Sequence, residues 1–412
     1  MDIDVEEAVK LLLNGEVKIH ELDDLLGDSN LATEARRKFI EKLVKAKFDN
    51  ISFYSLDFNK LVGRNIENPI GVVQVPLGIA GPLKIHGEYA KGDFYIPLCT
   101  TEGALVASVN RGCRAITLSG EARPLILRDY MTRAPLFKTP SIFHARKLVD
   151  WVKANFNRIV ETAESTTRHG KLLDFSPYMV GNYVFLRFKF STGDAMGMNM
   201  VTIAVDEVRK LIEREVPYAN CLSLSGNLCV DKKPSALNLI EGRGKTIVCE
   251  AIVKRRVVKD VLKTSPEKIV ELNWGKNYVG SALAGSLGFN AHFANIIAAI
   301  FLATGQDLAQ VVESSMGFTV AEVLENGDLY ISVTLPSLEV GTVGGGTRLP
   351  AQSEALSIIG CKGGSTPPGL KVKKFAEVVA STVLAGELSL LAALASHRLA
   401  NAHKRFGRGI KS

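Results

Sequence analysis

Apolar positions along the chain change period several times, and each change marks an element. Up to about residue 50 they recur at helical spacing. Leu11, Leu12 and Leu13 end one amphipathic stretch, Ile40, Leu43 and Val44 line a second, and Asn14-Gly15 and Gly27-Asp28 supply stops. Residues 66–98 turn Pro/Gly-punctuated and strand-like (ENPIGVVQVPLGIAGPL, then GDFYIPL). A helix over 102–118 follows, with the threonines of TTEG placed as its N-cap. A helix over 145–164 leads to YVFLRFKFS, where Val184, Leu186, Phe188 and Phe190 alternate with Phe185, Arg187 and Lys189 as in a half-buried strand. GDAMGMNM then opens the helix MVTIAVDEVRKLIERE. Beyond it the pattern predicts a strand over 247–258, a small-residue helix over 277–303, the strand LYISVTLP and a last long helix over 371–405. Strands and helices mix without strict βαβ alternation, which favours an α+β fold. The block 135–223 reads as a small domain inserted in a larger one.

Composition narrows the class. The chain has 412 residues, 46% hydrophobic and 23% charged, with a net charge of +7. That balance excludes disorder, fibres and disulfide-stapled miniproteins, and predicts two or three domains. The basic excess suits an anionic ligand, but no basic run exceeds Lys254-Arg255-Arg256, so nucleic acid is not expected. The six cysteines are scattered without a C-x-x-C pair, and no His pair has zinc spacing. A reducing compartment and no metal are the expectations. The N-terminus is acidic rather than basic, and the longest uncharged run, between Lys276 and Asp307, carries Asn277, Asn290, His292 and Asn295. Neither reads as a secretory signal or a membrane span, so a soluble cytoplasmic protein is the default.

Standard nucleotide motifs fail: G-x-G-x-x-G is absent, and GKT at 244–246 has Leu239 where a P-loop needs glycine. Two glycine-bearing segments remain, GDAMGMNM (193–200) and GTVGGGT (341–347), each either a tight turn or a ligand loop. Lys232 and Lys233 beside Asp231 form either a solvated loop or a charged site. Asp307 closes the uncharged run and is expected at the core boundary. Glu102 in TTEG is either a helix-dipole partner or a functional acid. His397 and His403, six residues apart, fall on different faces of the last helix.

Taken together, these segments are similar to the 3-hydroxy-3-methylglutaryl-coenzyme A (HMG-CoA) reductase family. The resemblance rests on ENPIGVVQVPLGIAGPL, TTEGALVASVNRGC, MTRAP, STGDAMGMNM, SGNLCVDKKPSALNLIEGRGK, NYVGSALAGSLGFNAHFANI, ATGQDLAQ, GTVGGGT and AGELSLLAALASH, in family order from about 60 to 405. It resembles the soluble, archaeal-type members of class I. The resemblance implies reduction of HMG-CoA to mevalonate and CoA by two NADPH, through a mevaldyl-CoA hemithioacetal and mevaldehyde. Lys232 would stabilise the oxyanion, Asp307 would tune Lys232, Glu102 would move the carbonyl proton, and His403 would protonate the departing CoA thiolate.

The same carry-over assigns Arg133, Ser225, Asp231, Lys233, Lys276 and Asn295 to the hydroxymethylglutaryl portion, whose free carboxylate needs cationic partners. Ser108, Asn110, Arg111, Lys263 and His292 fall on the coenzyme A side. Thr167, Arg168, Asp194, Met196, Gly197, Met198, Asn199 and Gly344 fall on the cofactor side, Arg168 favouring NADPH over NADH. The implied architecture is an N-terminal helical domain (1–60), a large domain (61–134 and 224–412) around a long central helix at 277–303, and an inserted ferredoxin-like cofactor domain (135–223). A homodimer at least, with a shared active site, is implied; dimer or tetramer stays open. A catabolic NAD-dependent member of the family is the rival reading.

Overall fold

The computed structural model of the chain describes residues 3–396, which fall into two compact units divided between Pro76 and Leu77. In the first, helices Val5–Asn14, Leu22–Leu26 and Ser29–Val44 enclose a small core of Ala8, Val9, Leu12, Leu22, Ala32 and Ala35. Asp4 and Asp28 cap the first and third of these helices by accepting backbone N–H bonds. The buried Arg36 pairs with Asp23. Residues 66–76 form no strand of their own; the extended texture there continues into strand only at Leu77–His86 and Lys91–Cys99.

The second unit is built on an eight-stranded antiparallel sheet. Strand Arg123–Arg133 is its seam. Residues 123–130 pair with Gly244–Val253, which pairs onward with Leu329–Leu338 and then Phe318–Val323. Residues 131–133 pair with Tyr183–Ser191, whose flanks carry Leu136–Lys138 and Lys171–Val180. Tyr183–Ser191 follows its alternation, with Val184, Leu186, Phe188 and Phe190 buried, though Arg187 is buried too, paired with Glu241. The two sides of the seam have separate cores. One, spanning 131–219, packs helices Ile142–Ala154, Phe156–Glu164 and Met198–Glu215 on the strands. The larger surrounds helix Leu370–Ala395.

That last helix is the long central one, and the expectation placed on 277–303 is corrected. Residues 273–283 are helical turns, Gly285 then turns left-handed at φ 64°, and a regular helix resumes only at Phe293–Thr304. Leu370–Ala395 is instead buried on all sides from Phe375 to Ser389, and most of that stretch is apolar, as in a helix enclosed by its own fold. By length and composition it could cross a membrane, but 83% of the relevant window is buried inside the protein. Its polar residues are used as pins. Glu377 accepts the backbone N–H groups of Glu88, Tyr89 and Ala90, and Glu387 accepts those of Ala291 and His292 and the Thr319 hydroxyl. A Cβ at Gly112 would lie 1.9 Å from the Ala385 carbonyl oxygen, so only glycine lets helix Leu105–Ser119 approach this closely.

Other boundaries shift. The helix expected over 102–118 begins at Leu105, behind Ala104 at φ 78°, and no threonine caps it; Thr100 Oγ1 instead accepts the Glu102 N–H at 3.0 Å. The helix expected over 145–164 divides at Asn155. The strand expected over 247–258 runs from Gly244 to Val253 and then turns helical. The last helix ends at Ala395, so His397 and His403 lie outside the described residues.

Candidate active site

The loop between strand Asn220–Ser223 and helix Ala236–Ile240 carries Ser225, Asp231, Lys232 and Lys233, and its backbone is held in an unusual form. Asn227, Val230 and Lys232 all adopt positive φ, at 63°, 54° and 56°. Such conformations cost non-glycine residues on the order of 1–3 kcal/mol each and persist only where surroundings impose them. The impositions are visible. Gly226 donates to the Ala134 carbonyl at 2.7 Å, Thr132 Oγ1 donates to the Cys229 carbonyl at 2.9 Å, and Asn238 Nδ2 donates to the carbonyls of Val230 and Lys233.

This loop presents Lys232 Nζ 2.8 Å from Asp307 Oδ2, both side chains partly exposed. Asp307, expected at the core boundary, is exposed beside the buried Gln306, and its carboxylate also accepts the Ala309 N–H at 3.1 Å. The hydrogen bond that Lys232 donates to Asp307 outweighs partial burial and holds the Lys232 ammonium above its ordinary pKa of 10.5. Asp231, on the same loop, faces Arg133 at 3.9 Å and receives Gln310 Nε2 at 3.0 Å. Ser225 Oγ lies 3.1 Å from Cys229 Sγ.

Behind the loop is a cluster that the sequence did not disclose. Arg243, fully buried, meets Glu339, Glu313 and Asp231 through the same guanidinium nitrogen. Burial of Glu339 and the nearby Glu313 charge push the Glu339 carboxyl well above its ordinary range, against the pull of Arg243; burial also raises Glu313. Three carboxyl groups gather around one arginine, and the guanidinium stands in the place a metal would take. The available signal was a charged residue at the end of an apolar strand, Arg243 before Lys245–Val253 and Glu339 after Leu329–Leu338.

The two glycine segments lie side by side. Ala195 and Val343 form a parallel bridge, Thr342 donates to the Asp194 carbonyl at 2.8 Å, and a Cβ on Gly341 would sit 2.6 Å from the Met196 nitrogen. The buried Asp194 carboxylate accepts from Ser365 N and Oγ, both at 2.7 Å, and from Val372 N at 3.2 Å. Burial raises its pKa, but these hydrogen bonds win and hold it below the ordinary value. Asp194 therefore fixes the loop rather than offering a free carboxylate. Gln306 Oε1 accepts the Gly341 N–H at 2.8 Å, tying this junction to the turn that carries Asp307. Arg243 Nη2 also reaches Met198 Sδ, at 2.6 Å.

Of the residues assigned to coenzyme A, three converge on one turn of the central helix. Ser108 Oγ and Arg111 Nε each lie 3.0 Å from Ser389 Oγ, and His292 Nε2 lies 2.8 Å from the Gly386 carbonyl. Asn110 Oδ1 accepts the Gly81 N–H at 2.9 Å, and Lys263 has φ 60°. Thr167 Oγ1 accepts the N–H groups of His169 and Gly170 and approaches Met200 Sδ, while Arg168 is exposed. Asn295 lies in the first turn of helix Phe293–Thr304. Glu102 and Lys276 are exposed, and neither bonds to Lys232 or Asp307 among the described residues.

The fold is of the α+β class, and Gln306 joins the turn of the Lys232–Asp307 pair to the glycine-lined start of helix Met198–Glu215. The chain belongs to the hydroxymethylglutaryl-coenzyme A reductase family, whose model matches residues 32–408. The reductase of Pyrococcus abyssi (strain GE5 / Orsay) is 62% identical over 408 residues, spanning 98% of this chain and 100% of that protein. That of Methanocaldococcus jannaschii is 56% identical over 98% of this chain and 99% of its own length. Reductase 1 of Oryza sativa subsp. indica is 47% identical over 98% of this chain and 76% of its own. Among solved structures, a class II reductase from Streptococcus pneumoniae bound to NADPH in open conformations shares the fold. Its TM-score is 0.66 at 18% identity, covering 94% of this chain and 96% of the other.

Proposed function

We propose that this chain catalyses the two-step, NADPH-dependent reduction of HMG-CoA to mevalonate and CoA, as a class I member of its family. The observation that carries the reading is the Lys232–Asp307 pair at 2.8 Å, on a strained loop braced from beneath and linked through Gln306 to the glycine junction.

The junction suits a dinucleotide. Helix Met198–Glu215 starts at Gly197 with no side-chain cap, leaving its first N–H groups for phosphate oxygens, and Gly344 and Gly345 face open space. Met196, Gly197, Met198, Asn199 and Gly344 would line the cofactor, with Thr167 and the exposed Arg168 at a 2′-phosphate. Asp194 contributes by holding the loop. NADPH supplies hydride when bound.

Reduction of the thioester carbonyl, and then of the aldehyde, places negative charge on oxygen, and Lys232 is the preorganised cation for it. Asp307 keeps Lys232 protonated and aimed. Glu102 would give and take the carbonyl proton, and His403 would protonate the CoA thiolate. Arg133, Lys233 and Lys276 would pair the free carboxylate of the substrate, with Ser225, Asp231 and Asn295 completing its hydrogen bonds. Ser108, Asn110, Arg111, Lys263 and His292 would hold coenzyme A. We place the cofactor on the 135–223 block, and the enzyme in the cytoplasm as a homodimer at least, with a shared site. The exposure of Glu102 and Lys276 in a single chain suits side chains completed by a second subunit.

The test is HMG-CoA with NADPH, following absorbance and free thiol. Two NADPH consumed per CoA released is expected; a faster rate with NADH at equal concentration would overturn the biosynthetic reading in favour of the catabolic one.

A further inference from the structure

Lys232 is placed by its backbone as well as by Asp307. Its N–H donates to Glu313 Oε1 at 2.7 Å while its φ is 56°. Glu313 lies on the short helix Val311–Ser314, fully buried, and the same Oε1 receives Arg243 at 3.2 Å. One carboxylate oxygen therefore grips the catalytic-loop backbone and is itself gripped from the core. The turn carrying Asp307 leads directly into Val311–Ser314. Both holds on Lys232, one on Nζ and one on its amide, thus come from a single stretch of chain.

We propose that Glu313 is a positioning residue for the reduction, its Oε1 fixing the left-handed backbone of Lys232 so that the ammonium reaches Asp307 and the substrate oxygen together. This rests on the reading of Lys232 as the oxyanion donor. The groups facing Lys232 are Asp307, Asp231 and Glu313; those facing Glu313 are Arg243, Glu339 and Asp231. What the proposal requires of Glu313 is an acceptor at a set reach. Its negative charge is secondary, since it is the smallest of the causes that raise Lys232 and Asp231 also faces Arg243.

Two conservative variants separate reach from charge. Glu313→Gln keeps an acceptor at the same distance and loses the charge; Glu313→Asp keeps the charge and withdraws the acceptor by about one methylene. Expected for Glu313→Asp is a kcat lowered roughly 10- to 100-fold, the scale of losing an aligned donor, with the NADPH KM unchanged. Its alkaline rate limb should move to lower pH, because a displaced ammonium loses the Asp307 bond that keeps it protonated. Glu313→Gln should keep kcat within about threefold and move the limb less than Glu313→Asp does, because the Glu313 charge is the smallest of the causes that raise Lys232. The reverse ranking, or equal loss in both with an unmoved limb, would overturn the proposal and make Glu313 a charge-neutralising core residue.

The titration of Lys232 is also readable without turnover, by NMR of enzyme carrying lysine labelled at Cε and assigned with Lys232→Arg. A Lys232 pKa lowered further in Glu313→Asp than in Glu313→Gln supports the positioning role even if the wild type proves inactive on HMG-CoA. An unchanged Lys232 pKa in both variants overturns it. Inactivity of the wild type counts against the functional reading alone.

Discussion

Two cation–carboxylate pairs lie on either side of one strained loop and differ in their access to water. Lys232 and Asp307 keep 41% and 34% of their side-chain surface, whereas Arg243 and Glu339 keep none. The first pair is screened, so it adds at most about 1 kcal/mol to stability. What it provides is an ammonium that stays charged and can approach a substrate. The second pair is out of water, where its loss would leave charges that nothing solvates. The accessible pair suits chemistry and the enclosed one suits placement, and Glu313 connects them by touching both Arg243 and the Lys232 amide.

The largest effect should come from the enclosed side. Arg243→Leu removes the cation that Glu313 and Glu339 share, leaves Asp231 to Arg133 alone, and should cost about 3–5 kcal/mol in urea unfolding. Activity should fall as well, because the floor of the catalytic loop loosens. A loss below about 1 kcal/mol would erase the distinction between the two pairs.

On the accessible side, Asp307→Asn should leave the unfolding midpoint nearly unchanged and lower kcat by about 10²-fold, the size expected when a preorganised charge is misaligned. The Lys232 pKa is raised in the native enzyme, so its ammonium persists to high pH; without Asp307 the alkaline limb of kcat should move to lower pH. A pH–rate profile checks this.

The smallest effect should be Glu339→Gln. The native Glu339 carboxyl keeps its proton to a higher pH than in the unfolded chain. Wild-type stability from this group is therefore full at low pH and lost as pH rises through the raised value. Glutamine has no such proton to lose, so the variant should show a flatter stability–pH curve and, at neutral pH, a change within about 1 kcal/mol. Unfolding midpoints measured across a pH series would show it.

Much of this contrast could not be read along the chain. The alternation in Tyr183–Ser191 identified that strand, because one face is buried and a period of two is unambiguous. The segments 277–303 and 371–395 are both rich in small and apolar residues, and only packing shows which one stays helical. Gly285 at φ 64° breaks the first, while Gly112 lets a neighbour close on the second. Lys232 and Asp307 were singled out as charges, but their partnership came through family resemblance, since no spacing rule joins a loop lysine to an acid 75 residues on. Arg243, Glu313 and Glu339 were invisible as a unit. They are separated by 70 and 96 residues from the arginine, and buried charge is recognisable only when its partners are in place.

The most direct measurement is Lys232→Ala assayed on HMG-CoA and on added mevaldehyde, with unfolding followed on the same preparation. Both reductions develop charge on a carbonyl oxygen, so the account predicts that both fall by at least about 10²- to 10³-fold while the unfolding midpoint stays near that of the wild type. Retention of more than a few per cent of turnover on either substrate, by a folded variant, would contradict the role of Lys232 as the oxyanion donor.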